Sequence, residues 1–281
     1  MIVMQNSFKV VTICLTLALL SFLFAVPRPA WPADYITGSG CSISNVGYLS
    51  ALAEEFERRT GTRVFVRGGG SVVGIQDLKS GNVDFAASCR GRIAGDPRGL
   101  QFIQVAWDAL VFIVYPTNPV SDISLDAVRS VYLGRITDWR ELGGRGGPIK
   151  LFLSRPRKGL SGVETSIRKL VLNGKRISSP NARLVPSSGI VEQLVERTPD
   201  GFAATGFTSA RKRKVKILKV NGVYPTIKTI VDGTYGLRRP LFLLVPPQPK
   251  PEVMKFVSFA LSEDGQRFIS SLGVVSFLDL Q

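Results

Sequence analysis

The sequence contains no histidine. That removes every mechanism built on an imidazole, including the Ser-His-Asp triad, and it removes the commonest zinc ligand. Cysteine is scarce: Cys14, Cys41 and Cys89 occur with no C-x-x-C spacing, which argues against a zinc ribbon or a thioredoxin-like centre. Acidic residues are also few, 21 Asp and Glu against 36 Lys and Arg, and they form no dense cluster of the kind a metal-dependent hydrolase needs. Low-complexity tracts and internal repeats are missing as well. What remains is a chain of 281 residues, 44% hydrophobic and 20% charged, with a formal net charge of +15. Its length suits about two domains. Its charge suits an anionic partner, whether a small anion, a nucleic acid or a membrane surface.

The N-terminus reads as an export segment. Met1 to Lys9 carries one positive charge, and Val10 to Val26 is apolar apart from two Thr, one Ser and Cys14. Pro27, Pro29 and Pro32 then break any helix. Residues 1–33 are therefore expected to be a signal peptide, or an N-terminal anchor if uncleaved, since the apolar run sits at the short end for a bilayer span. Arg28 and Trp31 stand where a cleavage site wants small residues. The rest of the chain is expected to be periplasmic or otherwise extracytoplasmic, with Cys41 and Cys89 in oxidising surroundings.

Three turns of similar character follow. Tyr35 to Thr37 is a short strand that runs into Gly38-Ser39-Gly40-Cys41-Ser42-Ile43-Ser44-Asn45, and a helix begins at a Ser44 or Asn45 cap. Thr62 to Val66 is a second strand, followed by Arg67-Gly68-Gly69-Gly70-Ser71 and another helix, with Ser71 as its expected cap. Val83 to Ala87 is a third, running into Ser88-Cys89-Arg90. Alternating strands and helices imply a parallel sheet, with all three turns at the carboxyl ends of the strands, where open α/β sheets bind ligands. Glycine admits close approach, and free helix N-terminal N–H groups attract anions. A dinucleotide site is not supported, because the second strand ends in Arg67 where a ribose-binding acid is wanted. Asp108 interrupts the apolar run Phe102 to Tyr115. Its carboxylate is either near the cleft or hydrogen-bonded at a strand end.

Ser42-Ile43-Ser44, Gly68 to Gly74 and Val83 to Arg90 resemble the N-terminal third of the periplasmic phosphate-binding proteins of ABC importers. Asn118-Pro119-Val120, the capped helix from Ser124, Leu133-Gly134-Arg135-Ile136-Thr137-Asp138-Trp139 and Gly143-Gly144 resemble that family's entry into its second domain, with Trp139 a packing anchor. Arg157, Ser161 and Gly162 match its R-x-x-x-S-G-T motif, in which Val163 replaces the threonine. Arg155 is a rival for the arginine because Pro156 disturbs the spacing. Gly233 to Leu241 resembles the family's return to its first lobe.

The resemblance implies an α/β, two-lobed type II periplasmic-binding-protein fold, each lobe a mainly parallel sheet flanked by helices. Lobe 1 would comprise 34–118 and 211–281, and lobe 2 would comprise 119–210. Phosphate or a related oxyanion would lie between the lobes, held by Ser42, Ile43, Ser44, Ser71, Cys89, Arg90, Arg157, Ser161, Gly162 and Val163. The family places an aspartate where Cys89 stands, so Asp108 is the candidate acceptor for the phosphate proton, and weak discrimination against sulfate is expected. Cys41 and Cys89 follow neighbouring strands of a doubly wound sheet, and a disulfide between them is expected, against two free buried thiols. The implied partners are ABC importer membrane subunits, with membrane contact only through an uncleaved N-terminal segment. No cofactor, metal, reaction or nucleic acid is implied, and Arg211 to Lys214 reads as a solvated edge. The rival readings are an envelope phosphate sensor or anchored partner protein with the same fold, and a phosphate-ester hydrolase.

Overall fold

The computed structural model describes residues 35–155 and 161–281. The export segment at 1–33, Cys14 and Arg157 lie outside the described residues.

Strand β1 (Tyr35–Gly40) enters an unbroken helical run, α1, built from Ser42–Ser44, a π-turn at Asn45–Leu49 and Ser50–Thr60. Then come β2 (Arg63–Gly68), α2 (Ser71–Lys79), β3 (Phe85–Ser88) and the long β4 (Gln101–Val114). The chain continues through β5 (Asp122–Ile123), α3 (Leu125–Leu133), β6 (Lys150–Ser154), α4 (Gly162–Leu170), β7 (Ala182–Val185), α5 (Ser188–Val195) and β8 (Gly201–Gly206). It returns through α6 (Phe207–Ala210), β9 (Lys216–Ile217), β10 (Lys219–Val220), α7 (Ile227–Val231) and β11 (Arg238–Val245). It finishes with α8 (Pro251–Leu261) and α9 (Glu263–Ser271).

The main sheet runs β2-β1-β3-β11-β4-β8-β6-β7, with β9 also on β4. Its two ends are parallel: β1 pairs β2 and β3, and β6 pairs β7 and β8. Its centre is antiparallel, because β4 and β11 both run against their neighbours. The length of β4 explains the layout. Gln101 to Ala109 pairs with β11 on one side, and Leu110 to Val114 pairs with β8 on the other. One strand thus joins two halves of the sheet.

Local chemistry sets the helix boundaries. Ser124 Oγ accepts from the Ala127 N–H at 3.0 Å, and Gly134 closes α3 in the left-handed region at φ 75°. Two starts differ from expectation. Helix α1 begins at Ser42, ahead of the Ser44 or Asn45 cap, because Cys41 donates to Ala87 O and its own carbonyl accepts from Asn45 N–H. The cap of α2 is Gly70, at φ 102°, rather than Ser71. Only glycine takes that backbone without strain, and the substitution of roles frees the Ser71 hydroxyl for another partner.

The core is continuous across both halves. In the first, Phe56 and Phe85 pack on Phe256 at 5.2 and 5.4 Å between ring centroids. In the second, Phe112 stacks on Phe202 at 6.0 Å, and Tyr132 and Trp139 meet Phe202 edge-on. Trp139 is buried and its indole N–H donates to Asp200 O at 3.1 Å, which is the role of a packing anchor. Arg211, Lys212 and Lys214 of the basic run are exposed, as a solvated edge would be, although several of its side chains also find partners. Lys212 donates to the carbonyls of Val46 and Gly47, Arg213 pairs with the buried Glu192, and Arg211 lies over Phe207. No helix among the described residues is long and apolar enough to cross a membrane.

Candidate functional site

The first three turns are pinned to one another by backbone hydrogen bonds. Gly40 pairs in register with Gly68 on one side and Ala87 on the other. The Gly40 carbonyl accepts from both Gly69 N–H and Gly70 N–H, at 2.9 and 2.8 Å, and Cys41 N–H donates to Ala87 O at 2.9 Å. The Ser71 hydroxyl accepts from Cys89 N–H at 3.2 Å and lies 3.7 Å from Cys89 Sγ. Ser39 and Arg67 both hold Asp77 of α2, which fixes that helix to the ends of β1 and β2. Ser42, Ile43 and Ser44 are buried at the start of α1, and Ser71 is buried at the start of α2. First-turn N–H groups have no acceptor within their own helix, so each start presents donors.

The fourth turn comes from the other half of the sheet. Ser161 caps α4, its Oγ accepting from Glu164 N–H at 3.3 Å, with Gly162 and Val163 buried behind it. A Cβ on Gly162 would overlap Cys89 Sγ and lie 2.8 Å from Ser71 Oγ. Helix α4 therefore aims its N-terminus at the Ser71–Cys89 contact, and only glycine permits the approach. Gly189, in the first turn of α5, stands against Ser42 on the same side. The starts of α1, α2 and α4 thus meet in one place, which concentrates partial positive charge and N–H donors there. Among the described residues no group of three metal-ligating side chains is found.

Cys41 and Cys89 meet at this point. Both are buried free thiols, and each bears on the other's titration. Burial pushes the Cys41 thiol up, but the bond from Cys89, the Arg239 charge and Ser44 together draw it below its ordinary value. Cys89 moves the other way, because its hydrogen bond to Cys41 keeps it protonated.

Two expected ligands are engaged elsewhere. Arg90 sends its guanidinium to Asp96 at 2.6 and 2.9 Å and to Gly91 O at 2.9 Å. Asp108 is the strand-bound carboxylate and not a free acceptor. Its Oδ2 takes both Nε and Nη2 of Arg239, at 3.1 and 2.8 Å, and its Oδ1 takes Thr208 N–H at 3.0 Å. Arg239 and Asp108 are cross-strand neighbours in β11 and β4, which brings them together. Arg155 is exposed, with its backbone N–H on Val185 O.

The structure adds Ser154, Glu164, Ser188 and Arg239 to the site. Glu164 is buried, and its carboxylate accepts from Ser154 N–H at 2.7 Å and Ser154 Oγ at 2.9 Å. Ser154 Oγ also lies 3.0 Å from Ser188 Oγ. Glu164 carried a sequence signal, an acid three residues after a Ser cap. Arg239 carried none, since its pairing with Asp108 appears only in the strand register.

Comparison with known proteins follows from this geometry. The PBP superfamily domain profile matches residues 27–264. The phosphate-binding protein PstS of Bacillus subtilis is 27% identical over 251 residues, covering 88% of this chain and 82% of that protein. Protein SphX of Synechococcus elongatus is 28% identical over 272 residues, covering 89% and 80%. A structure from Clostridium perfringens, described as a phosphate ABC transporter substrate-binding protein with bound phosphate, superposes with a TM-score of 0.77 at 24% identity. It covers 86% of this chain and 99% of its own. An ABC-type phosphate transport receptor from Vibrio cholerae superposes at 0.65 with 27% identity, covering 86% and 100%.

Burial pushes the Glu164 carboxyl up to about 7, against the pull of its Ser154 hydrogen bonds. In the unfolded chain a glutamate titrates near ~4.3, so between these values the folded state binds more protons. The resulting stability is fully present below the unfolded value and is lost as pH rises through the folded one. Urea unfolding should show stability falling by about 1–3 kcal/mol between pH 4.5 and 7.5 from this group. Glu164→Gln should flatten that slope. Parallel slopes in variant and unchanged protein would show that Glu164 does not titrate in this range.

Proposed function

The chain belongs to the PBP superfamily, and on that premise we propose that it captures phosphate between two lobes and delivers it to an ABC importer. The convergence of the α1, α2 and α4 N-termini at the Ser71–Cys89–Gly162 contact is the observation that carries this reading. A tetrahedral oxyanion matches donors arriving from several directions, and its charge matches the helix ends. Ser42, Ile43 and Ser71 serve from lobe 1, and Ser161, Gly162 and Val163 from lobe 2, with Arg157 completing the shell. The lobes are 34–118 with 211–281, and 119–210. The protein works outside the cytoplasm after export through residues 1–33, and it catalyses no reaction. The PstS relatives, named for phosphate binding, support the ligand.

Selectivity rests on what stands in for a carboxylate. Cys89 occupies the aspartate's place, and the Asp108 oxygens are already taken by Arg239 and Thr208. Among the described residues the candidate carboxylate, Asp108, is not free to accept the proton of monoprotonated phosphate, so sulfate enters the site as well. Calorimetric titration of the exported protein should show phosphate binding and measurable competition by sulfate. Arg157→Ala should weaken phosphate roughly tenfold or more, the loss of one charge-assisted contact, and Arg155→Ala should weaken it less. Absence of phosphate binding, turnover of a phosphate ester, or complete rejection of sulfate would each count against the reading.

The thiol pair belongs to the same site. Outside the cytoplasm a thiol–disulfide oxidant takes two electrons and two protons from Cys41 and Cys89 and leaves a disulfide that ties the first and third turns. Peptide mass spectrometry without reductant should find the Cys41–Cys89 cross-link in exported protein. Two alkylatable thiols in freshly purified, folded protein would show that the pair stays reduced.

A further inference from the structure

A second cavity, of about 170 Å³, opens between the two halves of the sheet. The loop after β3 lines it with Arg90, the start of β11 with Arg238 and Arg239, and α4 with Thr165, Ser166 and Lys169. Of the anion-turn contact described above, Cys89 is the residue that also borders it. The lining contains several cations and no acid. Lys169 and Arg238 form no ion pair among the described residues, and the Arg238 guanidinium carbon lies over the Trp107 ring, 4.4 Å from its centroid.

The two buried arginines carry the point. Arg90 and Arg239 are 5% and 3% exposed, and each is neutralised by one carboxylate, Asp96 or Asp108. Each nevertheless keeps one guanidinium N–H without a partner among the described residues: Arg90 Nε and Arg239 Nη1. A buried donor left unmade costs about 1–3 kcal/mol, and both residues that carry one line this cavity. The cavity has room for a phosphate-sized group, and positive charge faces it from both halves.

We propose that this cavity is a second anion site, separate from the helix N-termini, which takes a small inorganic oxyanion between Arg90, Arg239, Arg238 and Lys169. The anion sets its charge against Arg238 and Lys169, and Arg90 and Arg239 complete the basic lining around it. Because Lys169 belongs to one half of the sheet and the arginines to the other, the bound anion bridges the halves and relieves the repulsion between them.

The site is tested by equilibrium dialysis of the full exported chain against labelled inorganic phosphate, from micromolar to millimolar, in a low-chloride buffer. Two phosphates per chain are expected, one tight and one weaker. In the double variant Lys169→Gln, Arg238→Gln the weaker event should fall roughly tenfold or more, with the tight event unchanged. Raising ionic strength should weaken the second event further, since both side chains reach solvent. Arg157→Ala separates the two readings: it should act on the tight event alone, so a lost tight event with a surviving Lys169- and Arg238-dependent one still supports the second site. One phosphate per chain whose binding ignores the double variant would overturn the proposal. Two events that both ignore it would also overturn it.

Discussion

A buried ion pair holds the molecule at its crossing point. Asp108 lies in β4 where that strand leaves β11 and takes up β8, and Arg239 faces it from β11. Both residues are out of solvent. Two charges in such a place gain little net stability over an apolar pair, but removing one partner alone typically costs about 3–5 kcal/mol. Their contribution is one of position. Asp108 also accepts from Thr208 N–H, which seats α6 beside the junction, and Arg239 places its charge next to Cys41 and Cys89. The halves of the sheet are thereby set in one register, on which the site between them depends.

Helix ends supply most of the site's chemistry. The three turns at the ends of β1, β2 and β3 are linked through the Gly40 carbonyl and the Ser71 hydroxyl, so none can move without the others. Helix α4 then closes on them through Gly162. Preorganised donors of this kind spend little free energy on ordering when an anion arrives. Glu164 and Ser154 form a second layer that steadies the α4 start, with Ser188 beside them. Their burial keeps solvent from competing for those hydrogen bonds.

Much of this was legible in the chain. The three small-residue turns, the parallel order of the first strands and the Ser124 cap are local signals, and the structure repeats them. The weakest inferences concerned residues whose role depends on a distant partner. Arg90 follows a strand end as a ligand would, yet Asp96, six residues on, captures it. Asp108 was visible as an oddity in an apolar run, but its partner lies 131 residues away, and no local pattern names it. Ser71 was read as a cap because serine favours that place, but a left-handed Gly70 took the cap and released the hydroxyl to Cys89. The basic run at Arg211 is largely solvated, as its composition suggests, but its contacts with Glu192 and two carbonyls of the π-turn are tertiary and left no local signal.

The central claim is that an oxyanion sits where the helix N-termini of the two halves meet. A crystal structure of the protein grown with phosphate tests this most directly. The account predicts a phosphate within hydrogen-bond distance of Ser71 Oγ and of the N–H groups of Ile43 and Gly162. Phosphate bound elsewhere, with Gly162 still closed on an unliganded Ser71–Cys89 contact, would contradict it.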